Sequence, residues 1–277
     1  MTIFHSIILG LIQGLTEFLP ISSTAHLRII PALFHWTDPG TAFSAVIQLG
    51  TVLSVILYFR KDLSEIYGSM LSDLIQKQKI VSKDAKLGLW ILVGTLPICV
   101  FGFLFKTAIE KGMVRDLNII SFYLIFFGIL LFISEILAKQ NRTILSINAL
   151  DVILIGLVQT FALIPGASRA AITLFAGLML GFKRAEAARF SFLLSVPAIL
   201  ASGALEFITL VKLIHNQTIC LDWFTMLSGI LCAFVSGYFA IDFLLKFLQG
   251  NKTHVFVFYR LLLGCLVIYL NYKGVIN

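Results

Sequence analysis

The stretch that decides the fold is Gly10–Arg28, which reads G-L-I-Q-G-L-T-E-F-L-P-I-S-S-T-A-H-L-R. It belongs to an otherwise apolar segment, and Pro20 interrupts it in the middle. The polar and charged side chains along it are Gln13, Glu17, Ser22, Ser23, Thr24, His26 and Arg28. In lipid a polar side chain without a hydrogen-bond partner is costly, so such residues usually face a protein interior or a wet cavity. The density of these side chains therefore indicates a functional site.

The same stretch predicts a helix that is broken in the middle. Gln13 and Glu17 are four residues apart, which places both side chains on one face of a helix. Pro20 breaks or kinks that helix, and the Ser-Ser-Thr run that follows can cap the next one. We therefore expect a broken or re-entrant helix whose tip presents the carboxylate of Glu17, the hydroxyl of Ser23 and the imidazole of His26.

The composition sets the class of protein around this stretch. The chain has 277 residues, of which 59% are hydrophobic and 13% charged, and its mean hydropathy is +0.98. A soluble domain carries about 25% charged residues, and long continuous apolar runs are typical of membrane helices. The fold class is therefore an all-α polytopic membrane protein. The net charge of +7 fits a positive-inside bias of the loops, and no nucleic-acid partner is expected, because no basic patch is interleaved with aromatic residues.

Six apolar runs are long enough to cross a bilayer, which takes roughly 20 residues. They lie at about Thr41–Phe59, Leu87–Phe105, Ile119–Leu137, Phe190–Leu210, Trp223–Leu245 and Val255–Tyr272. A second unusual segment, Asp151–Gly181, separates the first three runs from the last three. Each half of the chain thus consists of one polar, broken segment and three spans.

The two halves also resemble each other in sequence, which indicates an internal duplication. G-L-I-Q-x-x-x-x-F-L-P at Gly10–Pro20 is echoed by G-L-V-Q-x-x-x-L-I-P at Gly156–Pro165. A Phe-Tyr pair followed by glycine also recurs with the same spacing, at Phe122, Tyr123 and Gly128 and again at Phe258, Tyr259 and Gly264. We expect a single membrane domain, 1–277, with repeats at approximately 1–138 and 149–277.

The side on which the broken segment leaves the membrane decides the architecture. If it enters and leaves on one side, each half crosses the membrane three times and the second half is inverted relative to the first. A full crossing would make the repeats parallel, but Pro20 and the polar side chains favour the re-entrant form. We therefore expect an inverted repeat of two halves, each with a re-entrant or broken helical hairpin and three transmembrane helices.

Loop charge gives the orientation of this plan, because cytoplasmic loops carry an excess of lysine and arginine. Under the inverted plan thirteen of these residues collect on one side and five on the other. The side with thirteen is predicted to be cytoplasmic, and it includes a charged loop at about 60–86. Both termini and the mouth of the first hairpin then face outward.

Other residues within the spans have simpler interpretations. Asp242 and Arg260 can pair between the last two helices. Gly94, Gly128, Gly229 and Gly264 are expected to permit close helix packing.

The counterpart of the opening stretch is I-P-G-A-S-R-A-A-I-T at Ile164–Thr173. Pro165 and Gly166 break the helix, so backbone N–H groups at the new helix N-terminus would point towards an anion. Ser168 and Thr173 add hydroxyl groups. This second motif therefore predicts an anion site opposite the first one.

Arg169 is the most informative residue of the second motif. An arginine is always charged and suits bidentate phosphate binding, whereas charge is expensive inside a membrane. Opposite it the first hairpin offers Glu17, Ser23 and His26. A carboxylate, a hydroxyl, an imidazole and a guanidinium in one pocket suit phosphoryl transfer, in which a divalent metal and the arginine neutralise charge while a base activates a nucleophile.

Simpler explanations exist for the same residues. Glu17 could be a protonated hydrogen-bonding group, or the anionic partner that a buried Arg169 needs. The serines could serve only as caps of the broken helices. An inverted repeat with broken helices is also a transporter plan, in which Arg169 would bind an anionic solute or a lipid phosphate. The set of Glu17, Ser23 and His26 favours a hydrolase, since a binding site does not need it.

The two motifs resemble those of the undecaprenyl-diphosphate phosphatase family, the integral-membrane type tied to bacitracin resistance. The first family motif, Glu or Gln, then three residues and Glu, continuing through F-L-P-x-S-S-T-x-H, stands at Gln13–His26. The second, P-G-x-S-R-S-x-x-T, stands at Pro165–Thr173, and F-S-F-L-L-S-V-P at Phe190–Pro197 resembles a further family segment. The similarity covers essentially the whole chain. By resemblance, the family's catalytic positions are Glu17, Ser23, His26, Ser168, Arg169 and Thr173.

The resemblance implies an enzyme that removes the terminal phosphate of a C55 isoprenyl diphosphate with Mg²⁺ or Ca²⁺. The product is the monophosphate carrier lipid of peptidoglycan synthesis. The expected location is the bacterial plasma membrane, with the active site facing the periplasm or the cell exterior. The expected partners are undecaprenyl diphosphate and membrane lipids, and a homodimer is compatible with the sequence.

The resemblance also gives a mechanistic hypothesis. The diphosphate would be bound by Gly166, Ser168, Arg169 and Thr173. Glu17 would bind the metal, assisted by Gln13, or serve as a base. Ser23 or His26 would attack the terminal phosphorus, or His26 would activate water for that attack.

Two positions depart from the family pattern. Ala170 stands where the second motif usually has serine, which removes a hydroxyl from the rim of the pocket. Gln13 is the neutral option at its position, so metal binding depends more heavily on Glu17.

Overall fold

The computed structural model describes residues 1–75, 82–105, 116–215 and 222–276, without the side chains of residues 204–215. The α-helices in these ranges are α1 (Ile3–Phe18), α2 (Ser23–Leu33), α3 (Gly40–Tyr58), α4 (Arg60–Ile75), α5 (Lys83–Leu104), α6 (Leu117–Leu137), α7 (Ala149–Gln159), α8 (Arg169–Met179), α9 (Arg184–His215), α10 (Trp223–Gly250) and α11 (His254–Tyr272). Six of them, α3, α5, α6, α9, α10 and α11, contain a stretch that is long and apolar enough to cross a membrane. The predicted all-α polytopic membrane protein is confirmed.

Each broken segment forms a hairpin that returns to the side from which it enters. The ring of His5, near the start of α1, stacks on Trp36, just after α2, with 4.2 Å between the ring centroids. In the second hairpin, formed by α7 and α8, the backbone N–H groups of Asn141 and Arg142 both donate to the carbonyl oxygen of Gly181 at 3.0 Å. These residues lie just before α7 and just after α8. Both segments are therefore re-entrant, as predicted.

The two hairpins open on opposite sides of the membrane. Three spans, α3, α5 and α6, connect the first hairpin to the second, and an odd number of crossings changes the side. Contacts at the open ends of the two hairpins agree with this order of crossings. Ser6, in the first hairpin, donates to the carbonyl oxygen of Thr225 at the start of α10, whereas Arg184, just after the second hairpin, pairs with Glu135 at the end of α6. The fold is thus the predicted inverted repeat.

The same cap begins the second helix of each hairpin. Ser22 and Ser168 have φ angles of 75° and 69°, which are uncommon for a residue other than glycine. Each serine hydroxyl accepts a hydrogen bond from the backbone N–H three residues later, that of Ala25 at 3.4 Å and that of Ala171 at 3.3 Å. The two tips are therefore built alike.

Paired glycines let each hairpin pack closely on a span. A Cβ atom on Gly10 of α1 would lie 2.3 Å from the carbonyl oxygen of Gly229 in α10, and one on Gly156 of α7 would lie 2.6 Å from that of Gly94 in α5. Small residues allow such approach between membrane helices, where van der Waals packing drives association. The close packing expected at Gly94 and Gly229 is confirmed.

The described part of the segment at 60–86 is mostly helical, where the sequence predicted a charged loop; residues 76–81 lie outside the described ranges. Arg60–Ile75 form α4, whose Leu63 and Ile66 are buried where the helix packs on α5. Their three-residue spacing places both side chains on one helix face. The apolar face therefore folds onto the protein while the charges remain outside.

The expected pair between Asp242 and Arg260 does not form. Asp242 pairs instead with Lys246 at 2.7 Å, and Tyr58 also donates to it at 3.1 Å. Arg260 is fully buried on α11. Because α11 packs along α6, Arg260 is directed to backbone carbonyl groups of that region.

Candidate active site

The tips of the two hairpins meet at a cavity of about 380 Å³. Its polar lining comes mostly from the two motifs: Glu17, Ser22, Ser23, Thr24, Ser168 and Arg169. The other lining residues are mostly apolar and include Ile98 and Phe103 of α5 and Ile199 of α9. The cavity therefore combines a polar part formed by both halves of the chain with an apolar part.

Glu17 is the centre of the polar part. Its Oε2 atom accepts hydrogen bonds from Ser23 Oγ at 2.7 Å and Gln13 Nε2 at 2.9 Å. Its Oε1 atom forms an ion pair with Arg169 Nη2 at 2.9 Å. The side chains of Glu17 and Arg169 are only 6% and 10% exposed. Both motifs thus converge on one carboxylate, and the pairing that could explain Glu17 and Arg169 structurally is present.

Further contacts hold Arg169 at the cavity. Its Nη1 atom donates to the carbonyl oxygen of Ser191 at 3.3 Å. The hydroxyl of Thr173 donates to the carbonyl oxygen of Arg169 at 2.8 Å and also bonds to the hydroxyl of Ser191. Thr173 is buried and does not line the cavity. The structure therefore places Thr173 behind Arg169, where it supports the backbone of that residue.

His26 also lies behind the cavity surface. Its Nδ1 atom is 2.7 Å from the carbonyl oxygen of Ser22, and its Nε2 atom is 2.6 Å from the hydroxyl of Tyr259. The imidazole is buried and is not part of the cavity lining. It connects the tip of the first hairpin to α11.

The residues of the second tip take different positions. Ser168 lines the cavity and caps α8. Gly166 lies outside the lining, with φ at +84° and its carbonyl oxygen 3.0 Å from Arg260. Ala170, which replaces the usual motif serine, is buried and also outside the lining.

The oxygen atoms at Glu17 fit a hard divalent cation only together with oxygens from a substrate. Among the described residues there is no group of three His, Cys, Asp or Glu side chains that could hold a metal. Gln13 Oε1, on the amide that bonds to Glu17, is buried without a partner. The predicted second donor, Gln13, is fully buried and lies outside the cavity lining. Mg²⁺ commonly binds through one or two carboxylates and substrate phosphates, so Glu17 is the compatible donor at the cavity.

Two residues that the sequence motifs do not indicate also belong to the site: Gln48 lines the cavity, and Arg260 contacts both tips. Gln48 contributes to the cavity from α3. A glutamine in the middle of an apolar span was a signal that could have identified it. The partners of Arg260 are backbone carbonyl groups, which leave no signal in side-chain patterns.

Comparison with known proteins gives a consistent set of similarities. The family model described as bacitracin resistance protein BacA matches residues 6–266. A curated undecaprenyl-diphosphatase of Myxococcus xanthus (strain DK1622) is 47% identical over 274 residues, which are 99% of this chain and 91% of that protein. A second, of Pelodictyon phaeoclathratiforme (strain DSM 5477 / BU-1), is 44% identical over 288 residues and covers 100% of both chains. A third, of Gloeobacter violaceus, is 45% identical over 276 residues, with 99% of this chain and 93% of that protein covered.

Proposed function

The chain belongs to the family of the bacitracin resistance protein BacA, and on this basis we propose that it hydrolyses undecaprenyl diphosphate to undecaprenyl phosphate and inorganic phosphate. Relatives named undecaprenyl-diphosphatase match it over nearly their full length. The activity thus rests on similarity along the whole membrane domain as well as on the two motifs.

The observation that carries the proposal is the shared carboxylate of Glu17. Ser23 and Arg169 bind its two oxygen atoms from opposite halves of the chain, at the surface of a cavity. A hydroxyl bonded to a carboxylate is the arrangement of a nucleophile and its base. A guanidinium beside them suits the negative charge of a diphosphate. Hydrolysis of a phosphoric anhydride uses all three groups.

In the mechanism that we propose, Ser23 is the nucleophile. Its Oγ atom attacks the terminal phosphorus, and Glu17 takes the hydroxyl proton and passes it to the departing phosphate oxygen of undecaprenyl phosphate. Water then attacks the phosphoserine. Glu17 accepts a proton from this water and returns it to Ser23 Oγ as the phosphorus–Oγ bond breaks and inorganic phosphate leaves. Arg169 holds the diphosphate through both steps.

A divalent cation, Mg²⁺ or Ca²⁺, is part of the proposal. Glu17 would hold it together with diphosphate oxygens. When bound, the cation supplies charge neutralisation for phosphoryl transfer. The single carboxylate supports a cation that is bound tightly only in the presence of substrate.

The proposed role of His26 is to position the first tip. The imidazole lies against Ser22 and Tyr259 and does not reach the cavity surface. We expect Ser23→Ala to lower kcat about 10²-fold, since general-base activation of water by Glu17 remains possible. His26→Gln, which keeps a hydrogen-bonding group, is expected to lower kcat less than about 10-fold. Phosphate-release kinetics on both variants would check this order, and a larger loss for His26→Gln would make the imidazole a reacting group.

The location that we propose is the plasma membrane of a bacterium, with the cavity accessible from the outer side. The described residues on the side of the second hairpin include Arg60, Lys61, Lys83, Lys86, Lys139, Arg142, Lys183, Arg184, Arg189, Lys246 and Lys252. Cytoplasmic segments carry this excess of positive charge, so α4 would be cytoplasmic. The apolar part of the cavity fits a substrate whose isoprenyl tail stays in the membrane, and the reaction would recycle the carrier lipid for peptidoglycan synthesis. Lys77, Lys79, Lys106, Lys111 and Arg115 lie outside the described residues.

The direct test is phosphate release from a C55 or C15 isoprenyl diphosphate by the purified protein in detergent. We expect release with Mg²⁺ or Ca²⁺, and at least about a 10-fold lower rate with a chelator, because a bound cation neutralises transition-state charge. Size-exclusion chromatography of the same sample would show whether the active form is a homodimer. If the lipid is bound but no phosphate is released, the chain would be a transporter of the phosphorylated lipid instead.

A further inference from the structure

Arg260 is a fully buried cation without a carboxylate partner among the described residues. It is 0% exposed. Its guanidinium donates to five backbone carbonyl groups: those of Leu124 at 3.1 Å, Pro20 at 3.2 Å, Tyr123 at 3.4 Å, Gly166 at 3.0 Å and Ala167 at 3.1 Å. A buried charge is costly unless it is fully hydrogen-bonded. An arginine at this position therefore needs an explanation beyond packing.

The carbonyl groups that accept from Arg260 include groups at the breaks of both hairpins. Pro20 lies at the first tip, and Gly166 and Ala167 lie at the second. Arg260 belongs to neither hairpin, since α11 carries it. One guanidinium therefore fixes the two tips relative to each other.

The inverted repeat does not duplicate this contact. The matching Phe-Tyr pairs align Tyr123 with Tyr259, so the counterpart of Arg260 in the first half is Leu124. Leu124 supplies only its carbonyl oxygen to Arg260. The chain thus uses a single cation where its symmetry offers two positions.

Arg260 also determines the direction of one peptide group at the cavity. In a trans peptide the carbonyl and the following N–H point in opposite directions, and no cis peptide occurs among the described residues. Because the carbonyl oxygen of Ala167 points to Arg260, the N–H of Ser168 points away from it. Ser168 lines the cavity, whereas Arg260 does not. In the described part of the chain this N–H has no acceptor.

We propose that Arg260 is a positioning residue for phosphoryl transfer: it holds the two tips in register and directs the N–H of Ser168 to the oxygen atoms of the reacting phosphate. The inference rests on the proposed phosphatase function. An N–H fixed in this way stabilises charge that develops in the transition state, as an oxyanion-hole donor does. Loss of Arg260 should therefore lower kcat more than it raises KM.

The test compares Arg260→Lys with Arg142→Lys in the full-length protein. Arg142 is a suitable control, because it also bonds to backbone carbonyl groups, those of Leu180 and Ser146, but it lies at the mouth of the second hairpin, where it also pairs with Asp151. For Arg260→Lys we expect kcat to fall about 30-fold, somewhat less than for complete loss of an oxyanion-hole donor, with KM changed less than about 3-fold. Arg142→Lys should keep kcat within about 3-fold. Arg260→Gln, which removes the buried charge, provides a second variant.

Thermal unfolding and hydrogen exchange complete the experiment. Amide exchange of the peptides that contain residues 20–23 and 166–168 should become faster in Arg260→Lys and stay unchanged in Arg142→Lys, whether or not the protein hydrolyses the lipid. A wild-type protein without phosphatase activity would contradict the proposed function. The exchange data would still show whether Arg260 fixes the two tips relative to each other. An active wild type with unchanged kcat in a folded Arg260→Lys would overturn only the positioning role. Failure of both variants to fold would assign Arg260 to the fold and also overturn it.

Discussion

Replacing Arg169 with alanine is expected to lower kcat/KM for an isoprenyl diphosphate by at least about 10³-fold, the effect of an arginine that stabilises the charge of phosphoryl transfer. The guanidinium is already at the cavity, 2.9 Å from the carboxylate of Glu17. The substitution also leaves Glu17 buried without its cation, which costs about 3–5 kcal/mol of stability when a buried pair is broken. Phosphate release and thermal unfolding must therefore be measured together.

A double variant separates these two effects. Glu17→Gln combined with Arg169→Gln removes both charges, so we expect thermal stability close to that of the wild type. Activity should remain lost, because neither a base nor a cation is present. Arg189→Ala is the matched control: this arginine also belongs to the second half of the chain and pairs with a carboxylate, that of Asp62, but it is 39% exposed, so little change is expected. A stable double variant with full activity would show that the pair between Glu17 and Arg169 is only structural.

Gly166→Ala should abolish activity and lower the free energy of unfolding by about 3 kcal/mol, from backbone strain and overpacking together. Two causes add up at this position. The φ angle of +84° is unfavourable for alanine. The added Cβ would also lie 2.3 Å from the carbonyl oxygen of Ile120 in α6, and such overpacking costs about 1–3 kcal/mol. Because Ser168 and Arg169 follow within three residues, any shift of the tip misplaces the groups at the cavity.

Gly40→Ala is the control that isolates the second cause. Gly40 has nearly the same φ angle, +83°, but no atom lies within 4 Å of its added Cβ. The Gly40→Ala protein should be destabilised only by backbone strain, by about 1–2 kcal/mol, and it should keep its activity. Thermal unfolding in detergent and phosphate release would provide the comparison. Equal stability losses in both variants would mean that the contact with Ile120 has little effect.

The sequence was sufficient for the membrane spans and for the two hairpins, for identifiable physical reasons. Long apolar runs have few alternatives to a membrane helix. Pro20 and Pro165 interrupt their helices locally, so the breaks depend on neighbouring residues only. The four-residue spacing of Gln13 and Glu17 likewise survives in the structure as a direct hydrogen bond of 2.9 Å.

The direction of side chains at the tips could not be derived in the same way. Ser22 and Ser168 have positive φ angles, so the helix that follows each of them starts in a direction that spacing rules do not give. As a result His26 and Thr173 lie behind the cavity instead of lining it. Gln48 reaches the cavity from α3, and this requires knowledge of how the spans pack. Residues 60–75 of the expected loop form α4, because Leu63 and Ile66 give this charged segment an apolar face.

The position of Arg260 has a consequence for biosynthesis. The residue bonds to Pro20 across a sequence separation of 240 residues, and α11 is inserted after both hairpins have been made. Until α11 reaches the membrane, neither tip has its cation, and the carbonyl groups that accept from it lack their partner. Under the proposed role of Arg260, a nascent chain that carries all six motif residues is still without a finished catalytic centre, and it becomes competent only when its last described helix is in place.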